Sequence, residues 1–156
     1  MMGFFGSADG QEDLILISPE KSIYVFRQLV FDNIWEGKYT DYRLYQFGVI
    51  PTETIKSRFD LDGFDDLAII SADFNILEVH HFLKDVPSNY DIKLFLRMGY
   101  VTRHHPTSLA QLNFNDDQID DIAVLHCDGT ITLFLTADYG FFDRNYLTYE
   151  TNVDNN

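Results

Sequence analysis

An acidic bend followed by a four-residue apolar run occurs three times along the chain, at nearly constant spacing, and this recurrence limits the fold more than any other feature. The segments are Ser7-Ala8-Asp9-Gly10-Gln11-Glu12-Asp13-Leu14-Ile15-Leu16-Ile17, Asp60-Leu61-Asp62-Gly63-Phe64-Asp65-Asp66-Leu67-Ala68-Ile69-Ile70 and Asn115-Asp116-Asp117-Gln118-Ile119-Asp120-Asp121-Ile122-Ala123-Val124-Leu125. Their anchoring aspartates, Asp13, Asp66 and Asp121, are 53 and 55 residues apart. A period of this length marks a supersecondary unit that buries its apolar face only by stacking on its neighbours.

The similarity extends beyond the anchor. Each apolar run is followed by a polar turn and a second strand-like segment: Pro19-Glu20-Lys21 before Ser22 to Phe26, Ala72-Asp73-Phe74 before Asn75 to Val79, and Cys127-Asp128-Gly129 before Thr130 to Leu135. Asp128-Gly129 suits a tight hairpin, where positive φ is needed. Thr130-Ile131-Thr132-Leu133 alternates as a half-buried strand does. Third strands are expected at Tyr42 to Phe47, Ile92 to Leu96 and Tyr146 to Tyr149, and a further one before each later loop, at Thr54 to Phe59 and Leu109 to Phe114. Ile76, Val79, Leu83 and Val86 are spaced as on a helix face, but the register with the sister repeats assigns that stretch to a strand. The 14 Phe and 9 Tyr favour strands too. Four strands per unit is the make-up of a propeller blade. The expected fold is therefore all-β: one repeat domain over 1–156, in which three four-stranded antiparallel blades form an open or partial β-propeller arc. Blade 1 covers about 1–48 and lacks most of its first strand; blade 2 covers about 49–104 and blade 3 about 105–152.

In two repeats the bend follows an aromatic-bearing pattern of Asp/Asn at alternate positions, ending in Asp and an aliphatic residue: Phe59-Asp60-Leu61-Asp62-Gly63-Phe64-Asp65-Asp66-Leu67, and Asn113-Phe114-Asn115-Asp116-Asp117-Gln118-Ile119-Asp120-Asp121-Ile122. This resembles the FG-GAP and VCBS repeats and the propeller of integrin α chains, whose loop wraps a calcium ion. The resemblance implies ligands from Asn113, Asn115, Asp117, the Ile119 carbonyl and Asp121 in the third loop, and from Asp60, Asp62, the Phe64 carbonyl and Asp66 in the second. The physics agrees, since calcium takes 6–8 hard oxygen ligands and alternate side chains of a tight loop face one concavity. Neither loop has the bidentate Glu of an EF-hand. The departures from the pattern are specific. Arg58 holds the second loop's first ligand position, where its charge partly replaces the ion. Gln118 stands where the pattern has Gly, at a position expected to need positive φ. The first loop keeps only Asp9, Asp13 and Ser7 of the ligand pattern, with Phe5 in the first position.

Eleven Lys and Arg against 25 Asp and Glu give a net charge of −14, which disfavours nucleic acid and anionic lipid. A single cysteine, Cys127, excludes an internal disulfide. No apolar run is as long as a membrane span, and Met1 to Gly10 does not read as a signal peptide. His80-His81, His104-His105 and His126 read as ordinary surface or half-buried residues, because strand neighbours face opposite sides and zinc requires converging ligands. Asp32 to Thr40, with Trp35 and Tyr39, reads as a long polar connection. No nucleophile or phosphate-cradling motif is present. The functional expectation is a non-catalytic, calcium-binding module that contacts other proteins or glycans. The resemblance implies an extracellular or cell-surface setting. Three repeats fall short of a closed propeller, so further blades or self-association are expected. An enzyme fragment on a propeller scaffold, of polysaccharide lyase or hydrolase type, and a degenerate structural repeat are the alternatives.

Overall fold

A computed structural model describes the backbone of residues 2–6, 12–18, 22–31, 34–46, 49–84, 92–137, 142 and 147–150, and side chains mainly within 49–82 and 97–137. Among these residues every regular element is a strand: β1 Met2–Gly6, β2 Glu12–Ser18, β3 Ser22–Phe31, β4 Ile34–Gln46, β5 Glu53–Ser57, β6 Asp66–Ser71, β7 Ile76–Lys84, β8 Ile92–Val101, β9 Pro106–Leu112, β10 Asp121–His126, β11 Thr130–Phe134 and β12 Leu147–Glu150. All pairings are antiparallel between strands consecutive in sequence, giving sheets β1-β2-β3-β4, β5-β6-β7-β8 and β9-β10-β11-β12. None closes into a barrel.

The helix-like spacing over Ile76–Val86 does not produce a helix. Residues 76–84 are strand β7, paired to β6 on one side and β8 on the other. Two expectations are corrected. Residues 2–6 form a strand paired with β2, so the first unit has its leading strand, as long as β5. Residues 34–40 are not a loop but the start of β4, with Trp35 opposite Val30 and Tyr39 opposite Gln28. The reason lies in Trp35-Glu36-Gly37-Lys38-Tyr39, where Glu36 and Lys38 alternate with Trp35, Gly37 and Tyr39 at the strand period. Bulges near Gln28 let this long hairpin keep its pairing.

Strand β6 is buried along its whole length, which explains why Leu67-Ala68-Ile69-Ile70 is a continuous apolar run rather than an alternating one. The core packs the β5–β8 sheet against the β9–β12 sheet. Phe59, Ala68, Ile70, Leu77 and Val79 meet Leu109, Ile122, Val124, Phe134 and Phe142 in one cluster. Tyr100, Phe134 and Phe142 stack edge to face, with centroids 5.1 to 6.1 Å apart, the arrangement that ring quadrupoles favour. Polar stitches join the same two sheets: Leu109 N–H donates to Glu53 Oε2 at 2.7 Å, Asp120 N–H donates to the Arg58 carbonyl at 3.1 Å, and Ser57 Oγ donates to Asp120 Oδ2. The stitch through Asp120 places the third acidic loop directly against the end of β5.

Phe134→Ala removes a ring from the centre of this cluster and is expected to cost about 3–5 kcal/mol, read as a lower midpoint in denaturant unfolding. Leu61→Ala, at a side chain 73% exposed, stays within about 0.5 kcal/mol.

Candidate metal centre in two equivalent acidic loops

The loop between β5 and β6 and the loop between β9 and β10 share one hydrogen-bond frame. Phe59 N–H donates to Asp66 Oδ2 at 3.0 Å, and Phe114 N–H to Asp121 Oδ2 at 2.7 Å. Phe64 N–H donates to Asp62 Oδ1 at 2.8 Å, and Ile119 N–H to Asp117 Oδ1 at 2.9 Å. The closing aspartate of each loop then accepts a second N–H from beyond the next strand or its far end: Phe82 on Asp66 Oδ1 at 3.1 Å, and Thr136 on Asp121 Oδ1 at 2.8 Å. Asp66 and Asp121 are both fully buried, where a carboxylate persists only with such partners.

The local backbone follows from the residue types. Asp62 and Asp117 close Asx turns on their own loops, the ordinary role of Asp in a bend. The position shared by Gly63 and Gln118 has positive φ in both loops, 86° and 69°. The expectation for Gln118 is met, and Gln is strained there where Gly is not.

In the third loop Asn113, Asn115 and Asp117 are exposed, Ile119 and Asp121 are buried, and the Asn115 amide lies 2.7 Å from Asp117 Oδ2. The side chains at positions 115 and 117 therefore converge on each other. Asn115 turns its amide nitrogen to Asp117 as a donor, while the side-chain oxygens of the set are the hard ligands that calcium takes.

The second loop brings together a different set. Asp60, Asp66 and His81 each place a ligand atom within 4.8 Å of the others. His81 Nδ1 lies 3.2 Å from Asp66 Oδ2 and 3.5 Å from Asp60 Oδ2. Asp62 joins the group through Asp60, whose Oδ1 accepts the Asp62 N–H at 3.0 Å, and Asp62 Oδ2 is buried with no hydrogen-bond partner. Arg58 does not take the place of an ion: its side chain is 66% exposed and pairs with Asp65 at 3.7 Å. The cation facing these carboxylates is His81.

Reading the histidines as surface or half-buried residues is corrected at three positions, since His80, His81 and His126 are all buried. His80 and His81 do face opposite ways. His80 Nε2 sits 3.2 Å from Glu78 Oε2, and burial holds its pKa below the usual value. His126 is a structural bridge, 2.8 Å from the His104 carbonyl and 2.8 Å from Thr132 Oγ1. His81 had a signal in the sequence. With the turn at Ala72–Asn75, hairpin register pairs Leu67 with His80, and one step further sets residue 81 opposite Asp66. The first loop's Ser7 and Asp9, and the side chain of Asp13, lie outside the described residues.

Electrostatics follow from this geometry. Burial alone would lower the His81 pKa, but its bonds to Asp60 and Asp66 outweigh burial and raise it to about 9. Burial raises Asp62 to about 7, helped by the neighbouring Asp60 and Asp66 charges. Asp60 is lowered, because the bonds from His81 and Asp62 overcome burial. Burial raises Asp66 despite its donors. The two carboxylates thus hold His81 on the protonated side of its titration at neutral pH.

No protein-family model and no curated protein matches the chain, so the reading of these loops rests on their residues and geometry.

Two outcomes are expected. In chelator, thermal stability falls as pH rises from about 6 to about 10. His81 gives its full contribution below its unfolded value of 6.5 and loses it as pH climbs through about 9. The raised Asp62 likewise loses its contribution on rising through about 7. His81→Gln flattens the upper part of that profile, and an unchanged profile in a folded variant would contradict the pairing. Separately, Gln118→Gly relieves a left-handed residue worth about 1–2 kcal/mol, less the roughly 0.5–1 kcal/mol of added chain entropy. A small gain in unfolding free energy is the result to look for.

Proposed function

We propose that this chain is a non-catalytic, calcium-binding β-repeat module. Its four-strand sheets are blades of a partial propeller, and its outer surfaces contact other proteins or glycans in an extracellular or cell-surface setting. The observation that carries the reading is the common hydrogen-bond frame of the two acidic loops, which sets Asp62 and Asp66, and Asp117 and Asp121, at equivalent points of successive sheets. Between them these loops collect many of the acids behind the charge of −14. A bound divalent cation relieves their mutual repulsion and stiffens the bend between consecutive strands.

The third loop is the calcium site of this reading, with Asn113, Asn115, Asp117, the Ile119 carbonyl and Asp121 as its oxygen donors. The second loop is a divalent-cation site built on Asp60, Asp62, the Phe64 carbonyl and Asp66. Blade-like stacking also explains the outer face of the β9–β12 sheet. There Leu125, Ile131 and Tyr149 stand in register across three strands, and Leu125 and Tyr149 are 39% and 47% exposed. A row of this kind suits a further blade or a second copy of the chain.

Calcium at about 100 times its Kd adds about 2.7 kcal/mol, equivalent to a Tm rise of roughly 5–10 °C for a chain of this length; EDTA reverses it. Asp117→Ala removes most of that response and His104→Ala none. Asp121→Ala removes it too, but also strips two backbone N–H groups of their acceptor, so it lowers Tm even in chelator. A Tm indifferent to both calcium and EDTA would end the metal reading.

A further inference from the structure

The donor set of the second loop departs from what calcium takes. Imidazole nitrogen is a poor ligand for a hard cation, yet His81 Nδ1 points between two carboxylates from a side chain only 2% exposed. We infer that Asp60, Asp66 and His81, with Asp62 completing the set, form a mixed nitrogen–oxygen site that selects a transition-metal ion of the zinc class over calcium.

Three observations carry this inference, which rests on the reading of the second loop as a divalent-cation site. The first is spacing. A charge-assisted imidazolium–carboxylate hydrogen bond closes to about 2.7–2.9 Å, whereas Nδ1 stands 3.2 and 3.5 Å from two different carboxylate oxygens. Ligands at about 2.0–2.1 Å around a tetrahedral ion lie about 3.3–3.4 Å apart. The second is the ring's far side, where Nε2 is buried with no hydrogen-bond partner. A buried imidazolium takes its whole charge out of water, while a neutral ring bound through Nδ1 keeps the unpaired Nε2–H but sheds that net charge. The third is Asp62 Oδ2, also buried and without a partner, on a residue already tied to Asp60. Two carboxylates and one imidazole thus lie within 4.8 Å of one another, with Asp62 tied to Asp60 beside them, ligands of the kind that zinc, manganese and nickel accept.

The third loop lacks this device. Its Thr136 N–H does what Phe82 N–H does in the second, so the residue matching His81 is Leu135, and the third loop keeps the oxygen-only set. One repeat scaffold thus carries two ion specificities.

The test uses the full chain, stripped with EDTA and titrated by calorimetry with Zn2+ and, separately, with Ca2+. Wild type is expected to bind zinc in the presence of excess calcium. His81→Gln should weaken zinc binding by more than the roughly 10–100-fold typical of losing an outer-shell partner, with calcium binding at the third loop unchanged. Zinc should also shift the 15N resonance of His81 Nδ1 in the wild-type protein, a readout that holds even if His81→Gln fails to fold. Cys127→Ser and His104→Ala exclude exposed surface ligands and should leave the zinc affinity in place. An unmoved His81 nitrogen, or zinc affinity unchanged in folded His81→Gln, overturns the inference. If Asp60→Asn abolishes calcium binding at the second loop while zinc never binds there, the second loop is a cation site but the zinc assignment falls. If neither ion responds to Asp60→Asn, the cation reading of the loop falls with it.

Discussion

The closing carboxylate of each acidic loop holds the rest of its unit in place. Asp66 and Asp121 are buried at the start of the strand after the loop, and each accepts one N–H from the residue entering the loop and another from the distal part of the following hairpin. Loop, first strand and second strand are thereby tied to one side chain. Without it two buried donors lose their acceptor, at about 1–3 kcal/mol each. The frame tolerates Arg58 or Asn113 at the loop entrance and Gly63 or Gln118 at its apex, because neither position supplies these bonds. Even the strain at Gln118 is held by the same frame, since its left-handed φ of 69° reproduces the 86° of Gly63.

Much of the strand architecture was legible because it is local. The period of the acidic bends, the hairpin turns and the alternation in β11 locate strands that pair with their sequence neighbours, which require no long-range information. The helix-like spacing over Ile76–Val86 was resolved by register, not by its own pattern. Where reading fell short, the cause was mostly a weak local signal. Polar Glu36 and Lys38 disguised the beginning of β4, although Trp35 and Tyr39 keep the strand period. How sheets stack depends on contacts such as Ser57 to Asp120 and Leu109 to Glu53, which link residues more than fifty positions apart and leave no local trace.

The loops themselves were legible as backbone and only partly as chemistry. Alternate Asp and Asn residues announce Asx bends, and both bends are present. The identity of the cation facing them was not readable from the loop alone. Arg58 lies next to the second loop in sequence but reaches Asp65 on the outside. His81, fifteen residues past Asp66, arrives across the hairpin instead.

That contrast explains how one scaffold comes to differ between repeats. Carboxylates gathered in a bend repel one another, and each unit has to meet that repulsion with solvent, a bound ion or an internal cation. In the third unit Asp117 remains exposed and the position across the hairpin is Leu135, so water or an ion must do the work. In the second unit Asp60 and Asp62 are half-buried, and the His81 ring stands against the carboxylates of Asp60 and Asp66. The two repeats, with Arg58 in one and Asn113 in the other at the loop entrance, therefore share a frame and differ in chemistry. The substitution opposite Asp66 changes which charge balances the bend, and with it the chemistry that the bend offers.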